Sequence, residues 1–591
     1  MKSLSEIYKN KYIDAHLENA EMCYYEEINS KRYFYEDLPN TVTEGYPFAS
    51  DFVSASGKSY DSQAWKNLSQ EEKKGCKLRF HYLPNYHEIY LGCTGSGKTT
   101  GCIEPQLRAL SYQKNKPNLF LSDPKGELFE RNAEHLKACG YKLFVLNFKD
   151  CSRSDRWNPL LEIYDTAMQL KTIANGAEER EGFPDASLKL MASSSQIYLN
   201  GSYIFYKGMA FTGGEDLDRY VEYERDIIKA KVDSLINQLA HSIIKPQSNT
   251  DKSWEYGAQD LLKGLLVLLV DEALSSSTFT RDMMNMHNVQ NYYEELKSYA
   301  LRNTGELADC SLFKNGKHKK AFHLMETALN NAPNTMRSYC GVFDTCMKDW
   351  FQGHVFALTT GNTIDLDAIG DSPFAIFLIT RDYEKSDFLI AGLFIDWVYR
   401  YMLEKTEREG ISRPLHFMLD EFGNIPPIAD FENKISTSRS REIFFHLVLQ
   451  SYAQLDIVYG PEKSSVIIDN CNSLVFLGSQ NVETKKRFSS QCGEYSLEAF
   501  SVSAKVENDV IQQASVLPIS KLDSIVPGEA YIKRFRCPVI ESRFIFSYIC
   551  AEEGFFKYFN EANGIKNCTP IIFESYTSEK YMRYLRLPKY S

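Results

Sequence analysis

The chain has 591 residues, with 67 basic and 78 acidic side chains and a net charge of −11. With 43% hydrophobic and 13% aromatic residues it can build a large core, which excludes an intrinsically disordered chain. The acidic balance excludes wrapping nucleic acid through bulk positive charge, and the length suggests two to four domains at about 150 residues each, or one large domain carrying insertions.

Residues 1–80 are polar and tyrosine-rich with weak periodicity, and are expected to form a loosely structured N-terminal region. From about residue 85 short apolar runs alternate with amphipathic segments, the pattern of βαβ units on a largely parallel sheet. Strands are predicted at Glu88–Cys93, Asn118–Asp123, Lys142–Phe148, Phe374–Thr380, Leu415–Glu421, Phe444–Gln450 and Ser473–Gly478. The stretch between the third and fourth, roughly 165–370, reads as helical, with polar breaks at Asn175–Asp185 and Pro246–Ser253. It is too long for a loop, so it is expected to be an all-helical domain inserted into the first. The expected domains are 1–80, a discontinuous nucleotide-binding domain at 81–165 and 370–591, and the insertion at 166–369. The tail after 495 reads as strand and hairpin material.

The fourteen cysteines form no CxxC pair and the eleven histidines no HExxH, which argues against zinc chemistry. The N-terminus lacks the apolar core of a signal peptide. The strongest apolar run, Leu261–Val270, is about half a membrane span and contains Lys263, so a cytoplasmic protein with reduced thiols is expected.

Gly92-Cys93-Thr94-Gly95-Ser96-Gly97-Lys98-Thr99 is a full GxxxxGK[ST] between a predicted strand and a predicted helix, followed by Thr100. In such a loop backbone N–H groups cradle a β-phosphate, Lys98 bridges β- and γ-phosphates, and the Thr99 hydroxyl ligates Mg²⁺. ATP and Mg²⁺ are therefore the expected cofactors. LHFMLDE, Leu415–Glu421, supplies the acidic partner: Asp420 to position Mg²⁺ through its waters, Glu421 to polarise the attacking water. In chain order a further apolar strand, Phe374–Thr380, falls between the two motifs. With a Glu beside the Mg²⁺ Asp, this marks RecA-like and ring-shaped motors rather than GTPases or simple kinases. FFHLVLQ ends in Gln450 at the same rim, where a polar side chain can sense the γ-phosphate.

These residues resemble the type IV secretion coupling proteins, the TraG/TraD group. The resemblance rests on Asp123-Pro124-Lys125-Gly126-Glu127, on Trp157-Asn158-Pro159-Leu160 and on Leu419–Ile443. It extends to Gln450–Leu455, Tyr459-Gly460, Asn470-Cys471 and Phe476–Gly478, all in the family's order. It implies an α/β fold with a RecA-like P-loop ATPase domain, a mostly parallel sheet and an inserted all-α domain tied to substrate recognition. It further implies a DNA-stimulated ATPase, working as a hexameric ring, that links a relaxase–DNA complex to secretion-channel proteins in conjugation. Family members typically carry N-terminal membrane helices and this sequence shows none, so membrane docking is expected to depend on partners. The alternatives are a nucleotide-switched cargo adaptor that does not translocate, or a DNA translocase of the FtsK/HerA kind.

A ring motor needs a cation reaching from a neighbour to the transferring phosphate. Arg439, Arg441 and Arg381 are the candidates. For DNA contact the candidates are Lys314–Lys320 (KNGKHKK), Lys485-Lys486-Arg487 and Lys533-Arg534-Phe535-Arg536.

Overall fold

The computed structural model describes residues 22–23, 34–37, 46–54, 56, 58–74, 76–83, 85–173, 197–200, 203–207, 209–212, 214–244, 252–302, 307–329, 332–367, 371–381, 385–410, 413–425, 427–503, 506–535, 539–552, 572–575 and 583–586. They fall into two compact units, one of residues 1–149 and 366–565, the other of 150–365 and 566–591.

The first unit is built on a ten-stranded sheet. Its strands, in chain order, are β1 (Glu88–Gly92), β2 (Asn118–Ser122), β3 (Lys142–Asn147), β4 (Phe374–Ile379), β5 (Leu415–Leu419), β6 (Ile443–Leu449), β7 (Ser473–Gly478), β8 (Glu529–Arg534) and β9 (Val539–Arg543). A two-residue strand, Met22–Cys23, adds parallel to β9 and completes the order Met22–Cys23, β9, β8, β7, β1, β6, β5, β2, β4, β3. The seven strands from β7 to β3 are parallel, and β8 runs antiparallel to both neighbours. Parallel strands need both faces covered, which is why they read as unbroken apolar runs rather than alternating ones.

One face, carrying Leu119, Leu121, Phe377, Met418 and Val448, packs under α1 (Glu104–Ser111) and α2 (Glu127–Ala138). On the other face Phe120 lies 5.0 Å from Phe417, which stacks on Phe445 at 4.9 Å. That face meets Phe394 of α3 (Lys385–Glu409) and Phe431 of α4 (Phe431–Ser438).

In space the strand between the P-loop strand and β5 is β6; β4 lies beyond β2, away from both. The described residues between 46 and 83, expected to be loose, form regular structure. Tyr46–Val53 and Lys77–Leu83 are the middle pair of a four-stranded antiparallel sheet. Phe52 stacks on Trp65 at 3.9 Å, and both bury against Ala109, Ile545 and Ile549. Weak periodicity in sequence hid a few large aromatics that close this small core. Glu494–Ser503 and Val506–Ser515 pair as antiparallel strands.

A buried polar chain crosses the sheet. His416 Nδ1 lies 2.8 Å from His446 Nε2, and His446 Nδ1 lies 3.2 Å from Glu88 Oε2. That oxygen accepts from Tyr90 (2.7 Å), whose hydroxyl accepts from Gln106 of α1 (2.9 Å). Burial pushes Glu88 up to about 7 against the opposing Tyr90 bond and Arg534 charge, and pushes His446 down to about 3. His446 is thus held neutral, and Glu88 keeps its proton up to about pH 7. The stability that protonated Glu88 contributes is complete below its ordinary value of 4.5 and is lost as pH rises through about 7. Wild type is expected to lose on the order of 2–3 kcal/mol across that window relative to Glu88→Gln, read from denaturation midpoints at each pH. Equal slopes for both proteins would refute the assignment.

Among the described residues the second unit is helical apart from a three-stranded antiparallel meander at Ile197–Asn200, Tyr203–Tyr206 and Met209–Phe211, and a pair of short strands at Ile572–Ser575 and Arg583–Arg586. Its centre is the helix Ser253–Ser275, which contains Leu261–Val270 and is packed against helices 161–172, 214–243, 286–302, 319–329 and 333–347. A helix apolar nearly all round is a core helix. Gly264 lets the helix 319–329 approach closely, since a Cβ there would stand 2.3 Å from Met325 Cγ. Among the described residues no helix is long and apolar enough to cross a membrane.

Trp157-Asn158-Pro159-Leu160 belongs to this unit. Asn158 donates to the Met284 carbonyl (2.7 Å) and accepts from Leu160 N–H (3.0 Å), tying two helical segments together. The break expected at Asn175–Asp185 lies outside the described residues, as does most of that at Pro246–Ser253.

Candidate nucleotide site

Because β7 to β3 are parallel, their C-terminal ends share one rim. The P-loop leaves β1 there, Asp420 and Glu421 leave β5, Gln450 leaves β6 and Asp123 leaves β2. Open α/β sheets bind ligands at this edge.

Cys93 N–H donates to the Gly478 carbonyl at the end of β7 (2.8 Å), which fixes the start of the loop. At Gly92 a Cβ would stand 2.3 Å from Ser96 Oγ and 2.9 Å from Lys98 Cγ, so no side chain fits. Gly97 has φ +85°, a left-handed conformation that favours glycine, before the chain winds through a π-helical turn, Lys98–Ile103, into α1. Thr94 and Gly95 are exposed; Ser96, Gly97, Lys98, Thr99 and Thr100 are half-buried. Ser96 Oγ is buried with no partner among the described residues, a polar atom facing the cradle. Lys98 Nζ donates to the carbonyls of Gly92 (2.5 Å) and Cys93 (3.1 Å). Burial lowers its pKa, against the charge of Asp420.

Thr99 Oγ1 donates to Asp420 Oδ2 at 2.8 Å, although the two are 321 residues apart in the chain. Asp420 is 8% exposed, and burial raises its pKa against the Thr99 bond. A carboxylate and a hydroxyl meeting at a phosphate cradle are a hard-oxygen pair suited to Mg²⁺, which keeps several waters and borrows phosphate oxygens. Among the described residues no three His, Cys, Asp or Glu side chains could hold a metal by themselves, so such an ion would need those further ligands.

Glu421 follows with φ +52°, unusual for a residue with a side chain, and Asn424 donates to its Oε2 at 3.0 Å. Gln450 N–H donates to Gln454 Oε1 (2.8 Å). That side chain also packs on Gly423, where a Cβ would come within 2.8 Å of it. Gln454 thus links the loop after β5 to the end of β6, a role without a signal in sequence.

Asp123 accepts from the N–H groups of Gly126 (2.9 Å) and Phe129 (2.8 Å), so the first residue of DPKGE caps α2. Burial pushes it up to about 6, with Asp420 adding to the rise and three backbone bonds opposing.

The arginines are placed elsewhere. Arg439 and Arg441 precede β6 and so lie at the opposite rim, about 20 Å from the P-loop end of that strand. Arg439 lies over Tyr86 (4.9 Å), with Arg534 over the same ring (4.5 Å); Arg441 contacts Glu407 (3.3 Å). Arg381 is on the nucleotide rim but grips buried Asp387 with two bonds, 2.8 and 2.6 Å. Within one chain none of the three reaches the P-loop.

The basic runs are partly spent internally. His318 sits between Asp271 (3.2 Å) and Glu272 (3.1 Å), and Lys320 pairs with Asp233. Lys485 pairs with Asp523 (2.5 Å), Arg487 lies over Tyr452 (4.7 Å) and Arg534 is buried. Lys314, Lys317 and Lys319 are exposed, while Arg536 lies outside the described residues.

This sheet order, with the P-loop strand flanked by β7 and β6 and the acidic pair one strand further, is a RecA-like P-loop ATPase fold with an inserted helical domain. The family model for type IV secretory system conjugative DNA transfer matches residues 58–516, and the chain belongs to that family, the type IV secretion coupling proteins. It is 21% identical over 421 residues to protein VirD4 of Rhizobium radiobacter, covering 71% of this chain and 49% of VirD4. The chain thus spans about half the length of the curated relative it matches. Among solved structures it is similar to the plasmid coupling protein TrwB in complex with the non-hydrolysable ATP analogue ADPNP: 14% identity, 82% of this chain and 88% of that one, TM-score 0.50. TrwB in complex with ADP and Mg²⁺ is similar at 14% identity, 78% and 85% coverage and TM-score 0.49.

Proposed function

We propose that the protein is an ATP-hydrolysing coupling protein. On this reading it recruits a relaxase–DNA complex and drives or licenses its transfer through a type IV secretion channel. The observation that carries the reading is the Thr99–Asp420 contact, which joins the P-loop to the acidic strand at one rim. Lys98 would turn from the loop carbonyls to the β- and γ-phosphates, and the N–H groups of Gly95–Thr100 would hold the phosphate oxygens. Thr99 and Asp420 would hold Mg²⁺, whose charge offsets that of the phosphates when bound. Glu421 would polarise the attacking water and Gln450 sense the γ-phosphate. Arg439 and Arg441, at the far rim, would serve only a neighbour's site in a ring.

The test is ATPase rate against protein concentration, with and without single- and double-stranded DNA, using Lys98→Ala as blank. A DNA-stimulated rate rising more than linearly with protein supports a motor assembled from subunits. Tight ATP binding with no Lys98-dependent turnover under any condition would favour the nucleotide-switched adaptor.

One observation favours slow hydrolysis used as a timer: the Asn424 amide occupies the Glu421 carboxylate (3.0 Å). Asn424→Ala is expected to raise basal turnover about ten-fold or more, the value of one hydrogen bond to a charged group. An unchanged or lower rate in a steady-state phosphate-release assay would sink this idea.

A further inference from the structure

The P-loop is walled on one flank by residues more than four hundred positions away. After β9 the chain runs through Phe544, Ile545 and Phe546 into the short helix Ser547–Glu552. The Phe546 ring edge lies against the first turn after the loop: a Cβ on Gly97 would stand 2.4 Å from its Cε1, and one on Gly101 3.3 Å from the same atom. Gly101 N–H donates to the Gly97 carbonyl (2.6 Å), so the ring spans that turn. Gly528 approaches the same ring from β8, where a Cβ would lie 3.5 Å from Cε2. Tyr548 stacks on Phe546 with centroids 5.3 Å apart and planes 12° apart. Phe544 to Cys550 are otherwise buried, yet Tyr548 is 39% exposed.

The segment is held rigidly. Ser547 donates to buried Glu104 of α1 (2.6 Å), and Ile545 N–H donates to Ser50 (2.8 Å). Both Ile549 and Cys550 N–H groups return to the Phe546 carbonyl (3.0 and 3.1 Å). A nucleotide with its phosphates over Gly95–Thr99 must carry its ribose and base out past the start of the helix. Tyr548, the exposed member of the aromatic pair, is stacked on buried Phe546 beside that start, on a backbone tied down by these bonds. Aromatic faces hold nucleobases by stacking, without needing hydrogen-bond readout.

We propose that the Phe546–Tyr548 stack is the platform for the purine base of the bound nucleotide, an inference that rests on the P-loop reading. The experiment is calorimetric titration, with magnesium present, of ATP and of inorganic tripolyphosphate into wild type, Tyr548→Ala, Tyr548→Phe and Lys98→Ala. Tyr548→Ala is expected to weaken ATP on the order of ten-fold. It should leave tripolyphosphate unchanged, and Tyr548→Phe should keep wild-type affinity for both. Tyr548 is exposed, so its replacement leaves the core intact. Wild-type ATP affinity in Tyr548→Ala, or an equal loss of ATP and tripolyphosphate, would overturn the platform. If Lys98→Ala bound both ligands as wild type does, the P-loop reading itself would fall and the platform with it.

Discussion

Glu421→Gln is expected to bind ATP with wild-type affinity and to turn it over about 10²- to 10⁴-fold more slowly, the value of a positioned general base. The substitution keeps the side chain's volume and an acceptor for the Asn424 amide, which now donates to Glu421 Oε2 at 3.0 Å. The left-handed backbone at this residue (φ +52°) is set by the loop and need not change. Nucleotide affinity and single-turnover hydrolysis, measured on one preparation, separate the two effects. Wild-type turnover would remove Glu421 from the chemistry. Loss of binding in parallel with turnover would assign it to the cradle instead. The variant also decides between motor and adaptor: cargo delivery that survives without turnover would leave ATP as a conformational switch.

Lys98→Ala is expected to reduce turnover by 10²-fold or more, because it deletes a cation placed inside the phosphate cradle, and removing one preorganised donor typically costs 10²–10³. Here the sense differs from Glu421→Gln, since binding should fall as well: Lys98 is expected to meet both phosphates in the ground state. The Lys98 ammonium donates to the Gly92 and Cys93 carbonyls. Those carbonyls are at the half-buried loop and can turn to water, so the thermal midpoint should shift little. A variant that kept turnover above a tenth of wild type would refute the assignment. One that failed to fold would show as a changed circular dichroism spectrum, and Lys98→Met, which keeps the stem, would then replace it.

Much of the first unit was legible in sequence. Six of the seven strands read from apolar runs lie within one residue of an observed strand at both ends, as at Ser473–Gly478, and the seventh, expected at Leu415–Glu421, stops two residues earlier at Leu419. A strand buried on both faces must be apolar throughout, and turn residues must bound it, so its signature is local. The P-loop was legible for the same reason: Gly92 and Gly97 are required by contacts and torsions within eight residues of one another. The central helix of the second unit was visible as an apolar run, and its half-span length pointed away from a membrane.

Other features were not legible. The amphipathic period cannot say which strands are neighbours, and the placement of β6 rather than β4 beside β1 follows from crossovers spanning the whole unit. For the same reason Arg439 and Arg441 looked close to the acidic pair in sequence but stand a full strand length from the rim that holds it. A basic run carries no record of its counter-charges, so the pairing of Lys320 with Asp233 and of Lys485 with Asp523 came only with the fold.

What the sequence by itself determined is the chemistry available: a phosphate loop, a carboxylate pair after an apolar strand, and the core that carries them. These depend on short-range sterics and on burial, which act residue by residue. Only the tertiary structure decided what shares the rim. The Thr99–Asp420 contact, the Gln454 link between two loops and the Phe546 ring against Gly97 all join residues distant in the chain. Strand order and register across the sheet put them within a few ångströms, and no local pattern encodes either.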